Sequence, residues 1–436
     1  MTHSGSPHVA VIGGGICGLA AAHRLAHRGT RVTLLESSDQ LGGLGTFFAH
    51  GDRWLERFYH CIMPSDASLL ALLDELGVRD AVRWRETTMG MVVDGRRHPF
   101  NSALDLLRFS PLRLHDRVRF GVVSLLLRRL GRNRDLDTLR TEDWLRGLYG
   151  DVVWERLFAP MFGSKFGPAF GDVPALYLWQ RLGRERNVAT RGYPDGGYKT
   201  IIDALRTSIE DAGGTVRTST PVRRLHSTGG RSVLTLTGGE VLDADHVVST
   251  VPLPLLRRIA DDALAARLPA TDLPYQGVVT GLFFLRQPVT EHYWTPVLHS
   301  GTEFDGVVAM SALAGPCAGS HLVYVMHYTD RDSQLYLDDD TAIAARWSAQ
   351  LRGLYPELGA DGIEEVRVFK APFVEPVYPL GYGATRPPVT VDGTGLLLAT
   401  TAHVYPEVTS WNSSVTLANE VVGVLEAQPA LTEPAR

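Results

Sequence analysis

Two glycine-rich turns with a carboxylate between them hold the clearest chemistry in the sequence. The first is Gly13-Gly14-Gly15-Ile16-Cys17-Gly18, and the second is Leu41-Gly42-Gly43-Leu44-Gly45. In a G-x-G-x-x-G turn the first glycine permits a tight reversal and the second lets a pyrophosphate reach the backbone. The third lets the following helix close on the strand. Gly13, Gly15 and Gly18 occupy these positions, and Glu36 follows Gly18 by eighteen residues. That spacing suits a side chain accepting hydrogen bonds from ribose hydroxyls, so the motif predicts dinucleotide binding.

Other residues could act on a substrate. His60 ends the run Arg53–His60 just past the second turn. Its imidazole could move a proton near neutral pH, or sit as a hydrogen-bonded core histidine. Lys165 is one of only three lysines, with Lys199 and Lys370, and lies in the apolar run Leu157–Gly167. It could attract an anionic or carbonyl-bearing ligand, or snorkel to the surface. Cys61, beside His60, reads as a buried inert thiol or a reactive one.

Secondary-structure patterns place these groups. His8–Ile12 is a short β-branched strand, an alanine- and leucine-rich helix runs to His27, and Arg31–Leu35 is a second strand ending at Glu36. This is a βαβ unit with the glycine turn at its first strand-to-helix junction. Short strand-like runs divided by glycine pairs fill 215–252. Ser65 is expected to cap a helix through Leu76, and Thr141 to open another. Met91–His98 should form a hairpin. Strands are expected at 276–285, 291–297 and 321–328, with helices near 338–354 and 411–426.

Composition narrows the class. The chain has 436 residues, which predicts about two or three domains at roughly 150 residues each. The net charge of −5 gives no global basic field, so no nucleic-acid partner is expected. Three scattered cysteines, Cys17, Cys61 and Cys317, form no CxxC pair. They suit neither a disulfide framework nor a zinc site, and no metal is expected. The N-terminus lacks a signal-peptide pattern and no stretch is apolar enough to span a bilayer, so a cytoplasmic protein is expected.

With its acid at 36 and the glycine pair 42–43, the N-terminal region resembles the flavin-containing amine oxidoreductase superfamily. That superfamily includes protoporphyrinogen oxidases, phytoene desaturases and UDP-galactopyranose mutases. Leu44 departs from the arginine that many amine oxidases carry after the pair. The resemblance implies FAD as cofactor, with Gly13, Gly15, Gly18, Glu36, Gly42 and Gly43 binding it. It further implies that the Val222 backbone pairs with the adenine and that Glu407 contacts the ribityl chain. Glu407 could equally be an exposed loop residue. Tyr382, in Pro376–Tyr382, matches an aromatic residue that walls the substrate in these enzymes, while ordinary core packing accounts equally well for Tyr378.

The fold class expected is α/β, a Rossmann-like FAD-binding domain built from 8–75, 215–252 and 384–427. An interleaved α+β substrate domain comprises 76–214 and 253–383, and 428–436 is a tail. Sequence and resemblance together imply an FAD-dependent oxidoreductase taking hydride from an amine or from a C–C or C–N bond being desaturated. Dioxygen or another acceptor would reoxidise the flavin, and His60, Lys165 and Tyr382 are the catalytic candidates. The alternative is a non-redox sugar-nucleotide mutase, motivated by His60 and by arginines 57, 181 and 184 as a diphosphate clamp. The arginine-rich, leucine-rich segment 104–134 is either a solvated helix face or a peripheral membrane contact. Oligomeric state is left open.

Overall fold

The computed structural model describes residues 7–132, 134–167, 170–184, 189–270 and 273–427, with the backbone alone at 184. The tail expected at 428–436 lies outside the described residues. Five strands form one parallel sheet in the order Leu396–Leu398, His246–Ser249, His8–Ile12, Arg31–Leu35, Thr215–Arg217. Parallel strands buried on both faces read as continuous apolar runs, and every residue of His8–Ile12 is buried. Val9 and Val11 point to one face, and Ala10 and Ile12 to the other.

On the first face the helices Ile16–His27, Lys199–Asp211 and Trp411–Glu426 share a core that includes Leu19, Leu25, Ile202, Leu205, Val415 and Val422. The helix Lys199–Asp211 thus packs on the glycine-turn helix, ahead of the expected junction at 214/215. On the second face lies an antiparallel ribbon, Val222–Thr228, Arg231–Leu236 and Val241–Ala244. Leu225, Leu234 and Leu236 of this ribbon share a core with Ala10 and Ile12.

A second, seven-stranded mixed sheet is built from the intervening chain. Its order is Ile363–Pro376, Tyr275–Leu285, His321–Thr329, Gly306–Ala309, His292–Leu298, Thr88–Val93, Arg96–Pro99. Alternation divides its residues. Val279, Phe283, Val323 and Val325 pack against Trp347 and Leu351 of the helix Asp340–Leu354. Leu282, Phe284, Leu322 and Tyr324 share the core of the first unit instead. The strands Gly306–Ala309 and Ile363–Pro376, and the pair Val82–Glu86 with Thr190–Pro194, are not anticipated by the sequence patterns. One helix starts later than expected: Ala67–Glu75 follows Asp66 at the cap position, not Ser65. The Asp66 carboxylate accepts from the Met63 N–H and so tightens the turn.

The two units meet at a buried carboxylate. Glu56 ends the strand Arg53–Glu56 and is 1% exposed. Its Oε2 accepts from the Tyr193 hydroxyl at 2.7 Å and its Oε1 from the Tyr198 N–H at 2.7 Å. Its carbonyl accepts from the Tyr324 hydroxyl of the seven-stranded sheet at 2.6 Å.

Turn geometry explains one glycine outright. A Cβ at Gly18 would lie 1.9 Å from the Gly13 carbonyl oxygen, so strand and helix touch backbone to backbone. Gly18→Ala must push the two apart, and overpacking of this kind costs about 1–3 kcal/mol. A lower Tm is the expected result, measured by thermal unfolding, together with lower retention of the FAD that the resemblance implies, measured by absorbance of the purified variant.

Candidate active site

The glycine turn lies at the C-terminal end of the central strand, where neighbouring strands 31–35 and 246–249 diverge into their connections. In open α/β sheets ligands bind in this crevice. Gly13 has a φ of +106° and sits against Thr250, whose hydroxyl donates to the Ile12 carbonyl. Gly15 is extended at the start of the helix Ile16–His27, and no side chain caps that end. The first N–H groups of the helix and its positive dipole end therefore face the crevice.

The second turn closes from the other side. Gly42 donates its N–H to the Gly14 carbonyl at 2.8 Å. Around an added Cβ at Gly15 only the Gly43 Cα lies within 4 Å, at 3.9 Å, so a side chain there would fill the gap between the turns. Glu36 sits at the rim, accepting from the Gly14 N–H at 2.7 Å and the Ser38 N–H at 2.8 Å. A bare backbone cradle with an uncapped helix end and a carboxylate at its edge fits a dinucleotide pyrophosphate and ribose. Gly13, Gly15, Gly18, Glu36, Gly42 and Gly43 are thus brought together.

Val222 begins the antiparallel ribbon, two residues past Thr220, whose N–H donates to the Glu36 carbonyl. Glu407 is exposed in the turn before the last helix, and no hydrogen bond or ion pair of its carboxylate occurs among the described residues. That helix is capped by Ser410 and Ser413. Its first residue, Trp411, packs where a Cβ of Gly45 would stand.

From Trp411 a line of side chains runs toward the large sheet. His60 lies between the rings of Trp411 and Tyr198, with centroids 5.9 and 5.1 Å away. Its Nδ1–H donates to the Phe58 carbonyl at 2.7 Å. Burial pushes its pKa down to about 4, so the imidazole is neutral at pH 7 with Nε2 as a bare acceptor. A histidine titrating near neutrality, as its type alone suggests, is replaced here by a permanent acceptor.

Tyr59 stacks on Trp294 and lies beside Tyr324, and its hydroxyl meets Tyr328. The Tyr328 ring carries Lys165 Nζ at 4.7 Å from its centroid. Lys165, in the last turn of the helix Ala159–Phe166, forms an ion pair with Glu375 at 3.1 Å. The other Glu375 oxygen accepts from Tyr177 at 2.5 Å. Desolvation, and then the nearby Arg181, lower the Lys165 pKa. Burial, ahead of the Glu375 charge, pushes Tyr328 up to about 12. Lys165, Tyr59 and Tyr328 nevertheless keep accessible surface. These three groups are thus strongly desolvated yet only partly covered.

Tyr382 lies elsewhere. It is fully buried in a cluster with Tyr378 and Tyr405, and its hydroxyl donates to the Ala402 carbonyl at 2.9 Å. Tyr378 donates likewise to the Thr401 carbonyl at 2.8 Å. These rings hold the turn after the last sheet strand, and Tyr59 and Tyr328 supply the accessible aromatic surface beside Lys165. Glu375, Tyr177 and Tyr328 escape sequence reading. The alternation of the strand bearing Glu375 is masked by charges and by Pro372, and a tyrosine on an apolar strand looks like core.

The fold and the cradle define a dinucleotide-binding unit joined to a second unit built on a separate sheet. The pattern of the flavin-containing amine oxidoreductases matches residues 16–404, and the chain belongs to that family. It is an FAD-dependent oxidoreductase. Over 333 residues it is 26% identical to putrescine oxidase of Kocuria rosea, spanning 68% of this chain and 67% of that one. For other curated relatives the matched share is roughly a third to just over half of their length. Among solved structures, a protein from Exiguobacterium sp. 255-15 assigned as a protoporphyrinogen oxidase has a TM-score of 0.78 at 18% identity, covering 97% of this chain and 99% of that one. Reduced UDP-galactopyranose mutase has a TM-score of 0.76 at 17% identity, covering 99% and 98%. No helix among the described residues is long and apolar enough to cross a membrane.

Two outcomes follow from this geometry. Unfolded histidine titrates near 6.5 and folded His60 near 4, so between these values the unfolded state binds the extra proton. The His60 contribution is complete above pH 6.5 and is lost as pH falls toward 4. His60→Gln should therefore lose less stability than the parent between pH 7 and pH 5, measured by urea unfolding. Lys165→Met and Glu375→Leu should each cost about 3 kcal/mol, since each leaves a buried charge unpaired, and the double variant should cost much less than their sum. A thermodynamic cycle on the three variants checks this.

Proposed function

We propose that the substrate cleft is the surface formed by Tyr59, Tyr328, Lys165 and Glu375. The chain there binds a small organic molecule and removes a hydride from carbon bonded to nitrogen or from a C–C bond being desaturated. Bound FAD would supply the hydride acceptor, with dioxygen or another acceptor taking up the electrons. Glycines 13, 15, 18, 42 and 43 with Glu36 would hold it, with the Val222 backbone as a further contact. The observation that carries this reading is the continuous line from Gly45 through Trp411, His60 and Tyr59 to the Lys165–Glu375 pair. It joins the cofactor cradle to the only lysine with such a buried carboxylate partner among the described residues.

The roles follow from chemistry. The tyrosine rings orient an apolar or flat substrate and keep water from the reacting carbon. Lys165, held over Tyr328 and tied to Glu375, is a fixed positive charge able to anchor a carboxylate or polarise a carbonyl. Neutral His60 accepts a hydrogen bond at Nε2 without adding charge. Tyr382 acts from behind, holding the 399–405 turn in place.

The mutase reading keeps one supporting feature, Arg181 close enough to Lys165 to shift its titration. Arg57 is exposed, and the side chain of Arg184 lies outside the described residues.

The test is spectroscopic. The purified yellow protein is mixed without oxygen with putrescine, coproporphyrinogen III or a C40 polyene, the compound classes named by its relatives. Bleaching of the flavin band by one of them is expected, with recovery on admitting air or an artificial acceptor. A Lys165→Met variant should bleach at least about tenfold more slowly. Turnover of a nucleotide sugar only after dithionite reduction, with no net electron transfer, would establish the mutase instead.

A further inference from the structure

Two consecutive helices, Ala103–Arg108 and Leu114–Gly131, present an apolar outer surface. Leu104, Leu107, Leu114, Val118 and Val122 are 48–63% exposed. The last three recur every four residues and form one stripe along the longer helix, while Leu127 and Gly131 of that helix are buried. An outward helix face on a soluble protein ordinarily carries charge, and a contiguous apolar patch marks an interaction surface.

The charge around the stripe has one sign. Residues 104–134 contain eight arginines against two aspartates, in a chain whose net charge is −5. Both aspartates are engaged locally: Asp105 closes the capping box with Ser102, and Asp116 is buried beside His115. Arg113, Arg129 and Arg132 are exposed around the stripe, with no carboxylate partner among the described residues.

We propose that this face docks on an anionic phospholipid bilayer, with both helices lying in the plane of the interface. Headgroup phosphates provide the acceptors that Arg113, Arg129 and Arg132 lack, and the upper acyl region receives the leucines and valines. Because no described helix is long and apolar enough to span, the contact is with one leaflet. An apolar protein partner would satisfy the stripe but would leave the arginines without anions. The inference does not depend on the assignment of the substrate cleft.

The FAD-loaded protein is sedimented with large unilamellar vesicles of phosphatidylcholine, alone or with a third of phosphatidylglycerol. Co-sedimentation with the anionic vesicles is expected, weakening at high salt as screening removes the arginine contribution. The variant L114Q/V118Q/V122Q should lower partitioning by roughly tenfold or more while keeping its Tm and flavin spectrum. The proposal is overturned if the parent stays in the supernatant, or if the variant binds as well as the parent. It is equally overturned if the parent ignores vesicles but self-associates through a contact that the variant abolishes, which would assign the face to a second copy.

Discussion

Glu56 is the point on which the arrangement of the two units turns. An ionised or neutral carboxyl buried this deeply persists only if its oxygens are satisfied. One segment supplies a donor to each of them, while a second segment donates to the Glu56 backbone carbonyl. Tyr193 and Tyr198 approach from the segment leading into the helix Lys199–Asp211, and Tyr324 approaches from the large sheet. Burial raises the Glu56 pKa, while the donated hydrogen bonds pull it back. With Glu56 held, the chain that leaves it has little freedom, so Phe58, Tyr59 and His60 are laid across the seam between the sheets. The groups that line the proposed cleft are positioned by a residue outside it.

How much of this was legible in the sequence depended on the range of the interactions involved. The glycine turn and its helix are local: a β-branched run, three glycines and an acid at fixed spacing define them, and the structure places Gly13, Gly15, Gly18 and Glu36 together. The assembly of three distant segments into one sheet was also readable, through the resemblance that linked 215–252 and the last strand to the first. The cleft was only partly readable. Lys165 stood out by rarity, but its partner Glu375 lies 210 residues away on a strand whose pattern is irregular, and no local rule pairs them. Tyr382 illustrates the converse. Its sequence neighbourhood suggested an accessible wall, whereas its hydroxyl is consumed by the Ala402 carbonyl and its ring by neighbouring tyrosines.

The environment of the cleft also limits its chemistry. His60 is neutral, Tyr59 and Tyr328 are pushed up by burial, and Lys165 is tied to Glu375. The histidine and the two tyrosines are therefore not set to exchange protons freely near pH 7. A site of this kind suits a reaction in which the protein orients a molecule and excludes water while a cofactor takes the electrons.

The order of the parallel sheet has a consequence for how the chain is made. The strand His8–Ile12 is flanked by residues 31–35 and 246–249, and the edge is closed by Leu396–Leu398. During synthesis the first strand therefore waits for more than half of the chain before its second neighbour exists, and the helix Trp411–Glu426 arrives last of all. Such long-range pairing is slow to form and leaves unpaired strand edges open meanwhile. A dinucleotide captured by the glycine turn adds its binding energy only to the completed arrangement, so cofactor supply acts on the yield of folded protein as well as on its activity.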